Sequence, residues 1–125
     1  MTTEKDTRKI FGTKGEDEAI VYLEEKGYKI IEQNYRCGRL GEIDIVAKDG
    51  DVLVFCEVKS RHSEEYGRPE EAVTIPKRKQ IVRMALRYLV TKGLLGKIDT
   101  RFDVLAIRYE NREKKIEHFV DAFRA

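Results

Sequence analysis

Three side chains near the middle of the chain, Asp44, Glu57 and Lys59, have the types and spacing of a metal-assisted hydrolytic site. Glu57 and Lys59 are two residues apart, so on a strand they share one face at roughly 7 Å. The segments that carry the three, residues 42–48 and 51–59, are rich in Ile, Val, Leu and Phe and flank Asp49-Gly50, a strong hairpin signal. With Asp49-Gly50 as a two-residue loop, Lys48 falls opposite Asp51, Asp44 opposite Phe55 and Glu42 opposite Glu57. Glu42, Asp44, Phe55, Glu57 and Lys59 then lie on one face, with Asp44 the diagonal neighbour of Glu57. A bulged turn would weaken that clustering.

One divalent ion within reach of Asp44 and Glu57 would complete its shell with the backbone carbonyl of Val58, waters and substrate phosphate, the hard-oxygen set that Mg²⁺ prefers. Such an ion, Mg²⁺ or Mn²⁺, would lower the pKa of a bound water and neutralise charge on a scissile phosphate, while Lys59 adds a compact positive charge. The chemistry is that of phosphodiester hydrolysis. The plainer reading of Glu57 and Lys59 is a same-face ion pair on a solvated strand. Against it stands the nearly continuous apolar run Val52-Leu53-Val54-Phe55-Cys56, which suits a strand covered on both faces. Charges at the end of such a strand are costly unless paired or metal-bound.

The elements that must position these residues follow from periodicity. Residues 13–26 place Ala19, Ile20 and Leu23 at helical spacing and end at Gly27. Glu16 falls on that apolar stripe, where it would face the sheet and support a metal; an acidic residue in the first helical turn also simply suits the helix dipole. Residues 28–35 read as a strand and residues 36–39 as a turn with two arginines. Residues 62–72, with Gly67 and Pro69, read as a loop bordering a cleft. Pro76 opens a second helix with the stripe Ile81, Val82, Ala85, Leu86, Leu89 and Val90, stopping near Gly93. Residues 101–109 and 116–120 close the chain as strands, giving the order αβββαββ in one α/β domain, with residues 1–12 as a flexible arm.

Composition narrows the classes. The chain has 125 residues, 41% apolar and 38% charged, enough for one core beneath a heavily charged surface. Its 25 basic and 23 acidic residues leave a net charge of +2, so any argument for nucleic acid must come from local patches. No secretory or membrane-spanning pattern is present, and a cytoplasmic protein with Cys37 and Cys56 as free thiols is expected.

Several segments together resemble the bacterial YraN-type proteins: Gly15-Glu16-Asp17-Glu18-Ala19, Asn34-Tyr35-Arg36, Gly41-Glu42-Ile43-Asp44-Ile45-Val46, Phe55-Cys56-Glu57-Val58-Lys59-Ser60-Arg61, Tyr66-Gly67-Arg68-Pro69 and Arg101-Phe102-Asp103-Val104. That family is similar to archaeal Holliday-junction resolvases of the PD-(D/E)xK superfamily. The resemblance implies a restriction-endonuclease-like αβββαβ core with a mixed sheet flanked by helices, metal ligands at Asp44 and Glu57, a catalytic lysine at Lys59 and an auxiliary carboxylate at Glu16. Ile43 stands where the superfamily motif has proline.

Secondary signals point to the same ligand class. Lys77, Arg78, Lys79, Arg83 and Arg87 make the second helix basic outside its stripe, which suits phosphate contacts or a solvated face. Arg36, Arg39 and Arg61 lie near strand ends and would flank a scissile phosphate, and Tyr66 and Arg68 would anchor the loop or clamp a backbone. His62 and His118 read as surface histidines. The expectation is a Mg²⁺- or Mn²⁺-dependent endonuclease acting on DNA, with branched DNA implied by resemblance, a homodimer favoured by a symmetric substrate, and no small-molecule cofactor. The alternatives are a non-catalytic nucleic-acid-binding module and an interaction scaffold on the same fold.

Overall fold

The computed structural model describes residues 4–61, 73–110 and 112–125, with side chains over 15–60, 73–109 and 112–125. In chain order the elements are α1 (Glu4–Glu25), β1 (Lys29–Arg36), β2 (Glu42–Asp49), β3 (Val52–Arg61), α2 (Ile75–Thr91), β4 (Asp99–Glu110) and β5 (Glu113–Phe123), with a 3₁₀ turn at Gly38–Leu40. The sheet order is β1-β2-β3-β4-β5, in which only β3 and β4 run parallel, joined across α2. The result is a mixed sheet flanked by helices with the αβββαβ core of restriction-endonuclease-like proteins. Helix α1 starts at Glu4, inside the stretch read as an arm, because no proline interrupts the residues before Thr13.

Side-chain alternation divides the interior into two cores. On one face Phe55, Phe102 and Val104 pack with Ile81, Met84, Ala85 and Tyr88 of α2. On the other Ile45, Ala47, Cys56, Leu105 and Ile107 pack with Ala19 and Leu23 of α1. β3 is the central strand, and Leu53 through Cys56 are buried, as a continuous apolar run requires. Both cysteines are free and buried. Helix α2 begins where the sequence signals it, with Thr74 as N-cap and Pro76 in the first turn.

The β2–β3 hairpin departs from the expected register. Asp49 pairs with Val52, so the loop is Gly50-Asp51. Positive φ falls on Gly50 and not on Asp51. That is the pattern of a type II′ turn, which takes glycine at its first position, whereas Asp-Gly in a type I′ turn takes it second. Continuing the observed register beyond Ile45↔Cys56 sets Asp44 directly across from Glu57 rather than diagonal to it. Among the described residues no helix is long and apolar enough to cross a membrane.

Candidate functional site

The β2–β3 ladder ends at Ile45↔Cys56, yet β2 stays paired to β1 as far as Glu42 and β3 stays paired to β4 as far as Arg61. The two central strands therefore fork, and the fork opens at Asp44 and Glu57. Asp44 bridges it: its Oδ2 accepts a hydrogen bond of 2.8 Å from the Val58 backbone N–H. The Val58 carbonyl lies on the same strand edge as its N–H, so it too faces the fork.

The Asp44 and Glu57 carboxyls sit close enough for each to act on the other's charge. Burial, and then the neighbouring Glu57 charge, push the Asp44 carboxyl up to about 8, although the Val58 N–H pulls the other way. Glu57 is the more enclosed, its side chain 6% exposed, and its Oε2 lies 3.6 Å from Lys59 Nζ. Thus the sequence reading brings Asp44, Glu57 and Lys59 together, with closer carboxylates than expected.

Glu16 reaches the fork from α1. Burial raises its pKa first, offset by a hydrogen bond with the Asn34 side chain and reinforced by Glu42 and Glu57. Its Oε1 is buried without a hydrogen-bond partner among the described residues. Gly15 lets α1 sit this close, since a Cβ there would collide with Ser60 Oγ on β3.

A strict alternation of faces does not hold at the fork. Ile45 packs toward α1 and Ile43 toward α2, although two residues apart on one strand they should share a face. The slip coincides with Asn34 on β1, at φ 53°, whose neighbours Gln33 and Tyr35 pair with Ile45 and Ile43. Asn34 is thus both the kink and the partner of Glu16.

The basic candidates separate. Arg36 is exposed and pairs with Glu42 at 3.4 Å, and Arg39 is exposed on the 3₁₀ turn. Arg61 ends β3, its side chain outside the described set, and Arg68, Tyr66 and His62 lie outside the described residues. Lys77 turns into the site, its Nζ 3.6 Å from Glu57 Oε2. Lys79 points elsewhere, lining a cleft of about 580 Å³ with Ile75, Val82 and Phe123. Among the described residues no three Asp, Glu, His or Cys side chains are gathered closely enough to hold a metal by themselves. A metal at the fork would rest on Asp44, Glu57, the Val58 carbonyl and solvent or substrate oxygens.

A second polar centre was not anticipated. Asp103 is fully buried, and its carboxylate takes bonds from Arg101 Nε at 2.9 Å and the Asp121 N–H at 3.0 Å, and lies 2.7 Å from His118 Nε2. Burial pushes the Asp103 carboxyl up, but His118, Arg101 and the Asp121 N–H together hold it below its ordinary value. Arg101 extends the network to Asp49 and Tyr28. His118 is therefore no surface histidine: its ring is enclosed, edge-on to Tyr22 and Tyr28. The signal in the sequence is the opposite charges of Arg101 and Asp103, two residues apart and leading into the apolar run Val104-Leu105-Ala106-Ile107.

Comparison with known proteins places this architecture. The model of the uncharacterised protein family UPF0102 matches residues 15–107, from the glycine under α1 to the end of the buried part of β4. The chain belongs to the UPF0102 family. A UPF0102 protein of Pelotomaculum thermopropionicum is 48% identical over 120 residues, covering 94% of this chain and 98% of that protein. One from Syntrophus aciditrophicus is 52% identical over 112 residues, covering 90% and 87%. The UPF0102 protein GSU0650 of Geobacter sulfurreducens is 50% identical over 116 residues, covering 92% and 89%. The UPF0102 match spans the fork, α2 and the part of α1 from Gly15 onward.

Proposed function

We propose that this UPF0102 protein is a cytoplasmic, divalent-metal-dependent endonuclease that hydrolyses phosphodiester bonds in DNA. The observation that carries the reading is the Asp44–Glu57 contact at the fork. Two carboxylates pressed together in a buried site are electrostatically costly, and a divalent ion between them would remove that cost. The fork-facing Val58 carbonyl is a further oxygen donor such an ion would use, and the unpartnered Oε1 of Glu16 would accept a hydrogen bond from a water of its shell. Mg²⁺ or Mn²⁺ supplies Lewis-acid polarisation of the phosphate and an activated water when bound.

The chain's own residues do the rest. Asp44 and Glu57 would hold the ion, with Asp44 oriented by the Val58 N–H. Lys59 stands beside Glu57 and stabilises negative charge developing on the phosphate. Glu16 is the auxiliary carboxylate. Arg36 and Arg39, exposed near the fork end of β1, meet flanking phosphates, as do Arg61, Arg68 and Lys79 in this reading. Branched or structured DNA as substrate, and a homodimer that would cut it symmetrically, follow from the likeness to junction resolvases.

The test is cleavage of four-way-junction, flap, single-stranded and linear duplex DNA with Mg²⁺ or Mn²⁺, set beside Glu57→Ala. Metal-dependent products from the natural protein that vanish in the variant support the reading and rank the substrates. Absence of both cleavage and metal binding refutes it, and salt-dependent DNA binding would then identify a non-catalytic nucleic-acid-binding module.

A further inference from the structure

Glu57 Oε2 is shared by two ammoniums from separate elements: Lys59 on β3 and Lys77 on α2, each at 3.6 Å and each 33% exposed. At that distance neither makes a short hydrogen bond, so both pairings are Coulombic and both ammoniums keep N–H donors for another acceptor.

The placement of Lys77 is not explained by helix stability. It sits in the first turn of α2, which holds no acidic residue and carries three consecutive cations, Lys77, Arg78 and Lys79. Positive charge at a helix N-terminus is unfavourable by roughly 0.3–1 kcal/mol. The other two cations are directed away: Arg78 Nε bonds the Val73 carbonyl at 2.8 Å, and Lys79 lines the cleft with Ile75. The Lys77 backbone N–H is fixed by Thr74 Oγ1 at 3.3 Å, so the turn that aims the side chain is tied down.

We infer that Lys77 is a phosphate-holding residue of this site that changes partners: it neutralises Glu57 in the metal-free protein and passes to a non-bridging phosphate oxygen when a divalent cation takes that carboxylate. The inference rests on the nuclease reading above. A doubly charged ion on the Glu57 carboxylate would repel both ammoniums in a partly buried site, and the freer of the two gives way. Lys59 is fixed to the strand of Glu57 itself, whereas Lys77 comes from α2 and can swing without disturbing β3. The two lysines then bracket the phosphate from different elements.

The experiment compares Lys77→Met and Lys77→Arg with the natural protein in three measurements: calorimetric titration with Mn²⁺ alone, binding of a four-way-junction DNA in Ca²⁺, and cleavage in Mg²⁺. The Met variant should bind Mn²⁺ several-fold more tightly, because a competing cation is gone, yet bind DNA more weakly and cleave it roughly 100-fold more slowly. Arginine should recover most of the cleavage. A merely structural lysine would not tighten metal binding when removed. Unchanged or weaker Mn²⁺ affinity in Lys77→Met, or unchanged cleavage, overturns the inference. If that happens while the natural protein binds Mn²⁺ and cleaves, the nuclease reading stands and only the role of Lys77 falls. A natural protein that takes up no Mn²⁺ and cleaves nothing removes both.

Discussion

Replacing Asp44 by asparagine should stabilise the metal-free protein while abolishing its proposed chemistry. The folded protein raises the Asp44 carboxyl from 3.8 to about 8, chiefly by burial and by Glu57. Between those values the folded state holds a proton that the unfolded chain has released, so stability falls as pH rises through the window. Each pK unit corresponds to about 1.4 kcal/mol, which sets a ceiling of about 4 kcal/mol on the cost at pH 7. The asparagine amide keeps the Val58 N–H bond through its carbonyl and offers Glu57 a donor, but burial of the amide has its own cost. A gain of about 2 kcal/mol is the expectation, or about 8 °C in melting temperature for a domain of this size. Thermal melts in chelator from pH 4 to pH 8.5 measure it. The advantage should be smallest near pH 4, where Asp44 is protonated in the folded state and about half protonated in the unfolded chain, and grow toward pH 8. With saturating Mg²⁺ the natural protein should recover the difference, because ligand binding to the folded state adds stability. A variant that melts below the natural protein at pH 7.5 in chelator, or a gain that does not depend on pH, would refute the account of the carboxylate pair.

The same substitution at the aspartate of the second polar centre, Asp103, should act in the opposite direction. Asp103→Asn leaves Arg101 and His118 without their shared anion and should cost about 3 kcal/mol in urea denaturation at pH 7. Since the Asp103 carboxyl is held low, its contribution is present above the ordinary carboxylate range and is lost as pH falls through the folded value, so the difference should shrink in acid. Gly15→Val should lift α1 from β3, costing about 1–3 kcal/mol and weakening Mn²⁺ binding through Glu16, while Gly15→Ala needs little more than rotation of the Ser60 hydroxyl. Equal Mn²⁺ affinities for the Val and Ala variants would show that this close approach does not position Glu16.

What the sequence made legible was whatever depends on local pattern. The central strand is readable from Val52 to Cys56, because burial on both faces leaves no room for polar alternation, and the start of α2 is readable from Thr74 and Pro76. Glu57 and Lys59 are bound to one face by strand geometry alone. The partnership of Asp44 needed the turn type, and Asp-Gly suggests one loop where the chain uses the next pair, Gly50-Asp51. Parity survived the shift, so the same residues met at a closer spacing. What depended on distant chain segments was not legible: Lys77 reads as one cation among several, and His118 gives no hint of an aspartate 15 residues earlier on the neighbouring strand. The slip of faces at Asn34 was likewise hidden, since a positive φ at asparagine leaves no mark in a hydrophobic pattern.

The fork between β2 and β3 also bears on solubility. Where two central strands part, each leaves a stretch of edge with backbone groups that a strand from another molecule could pair with, and such edges seed aggregation. Here the first position on either side is a carboxylate, one of them clasping the N–H of Val58, and lysines stand close by. An incoming strand would have to bury those charges to continue the ladder. The groups proposed to cut DNA thus also keep the protein's own sheet from recruiting a neighbour.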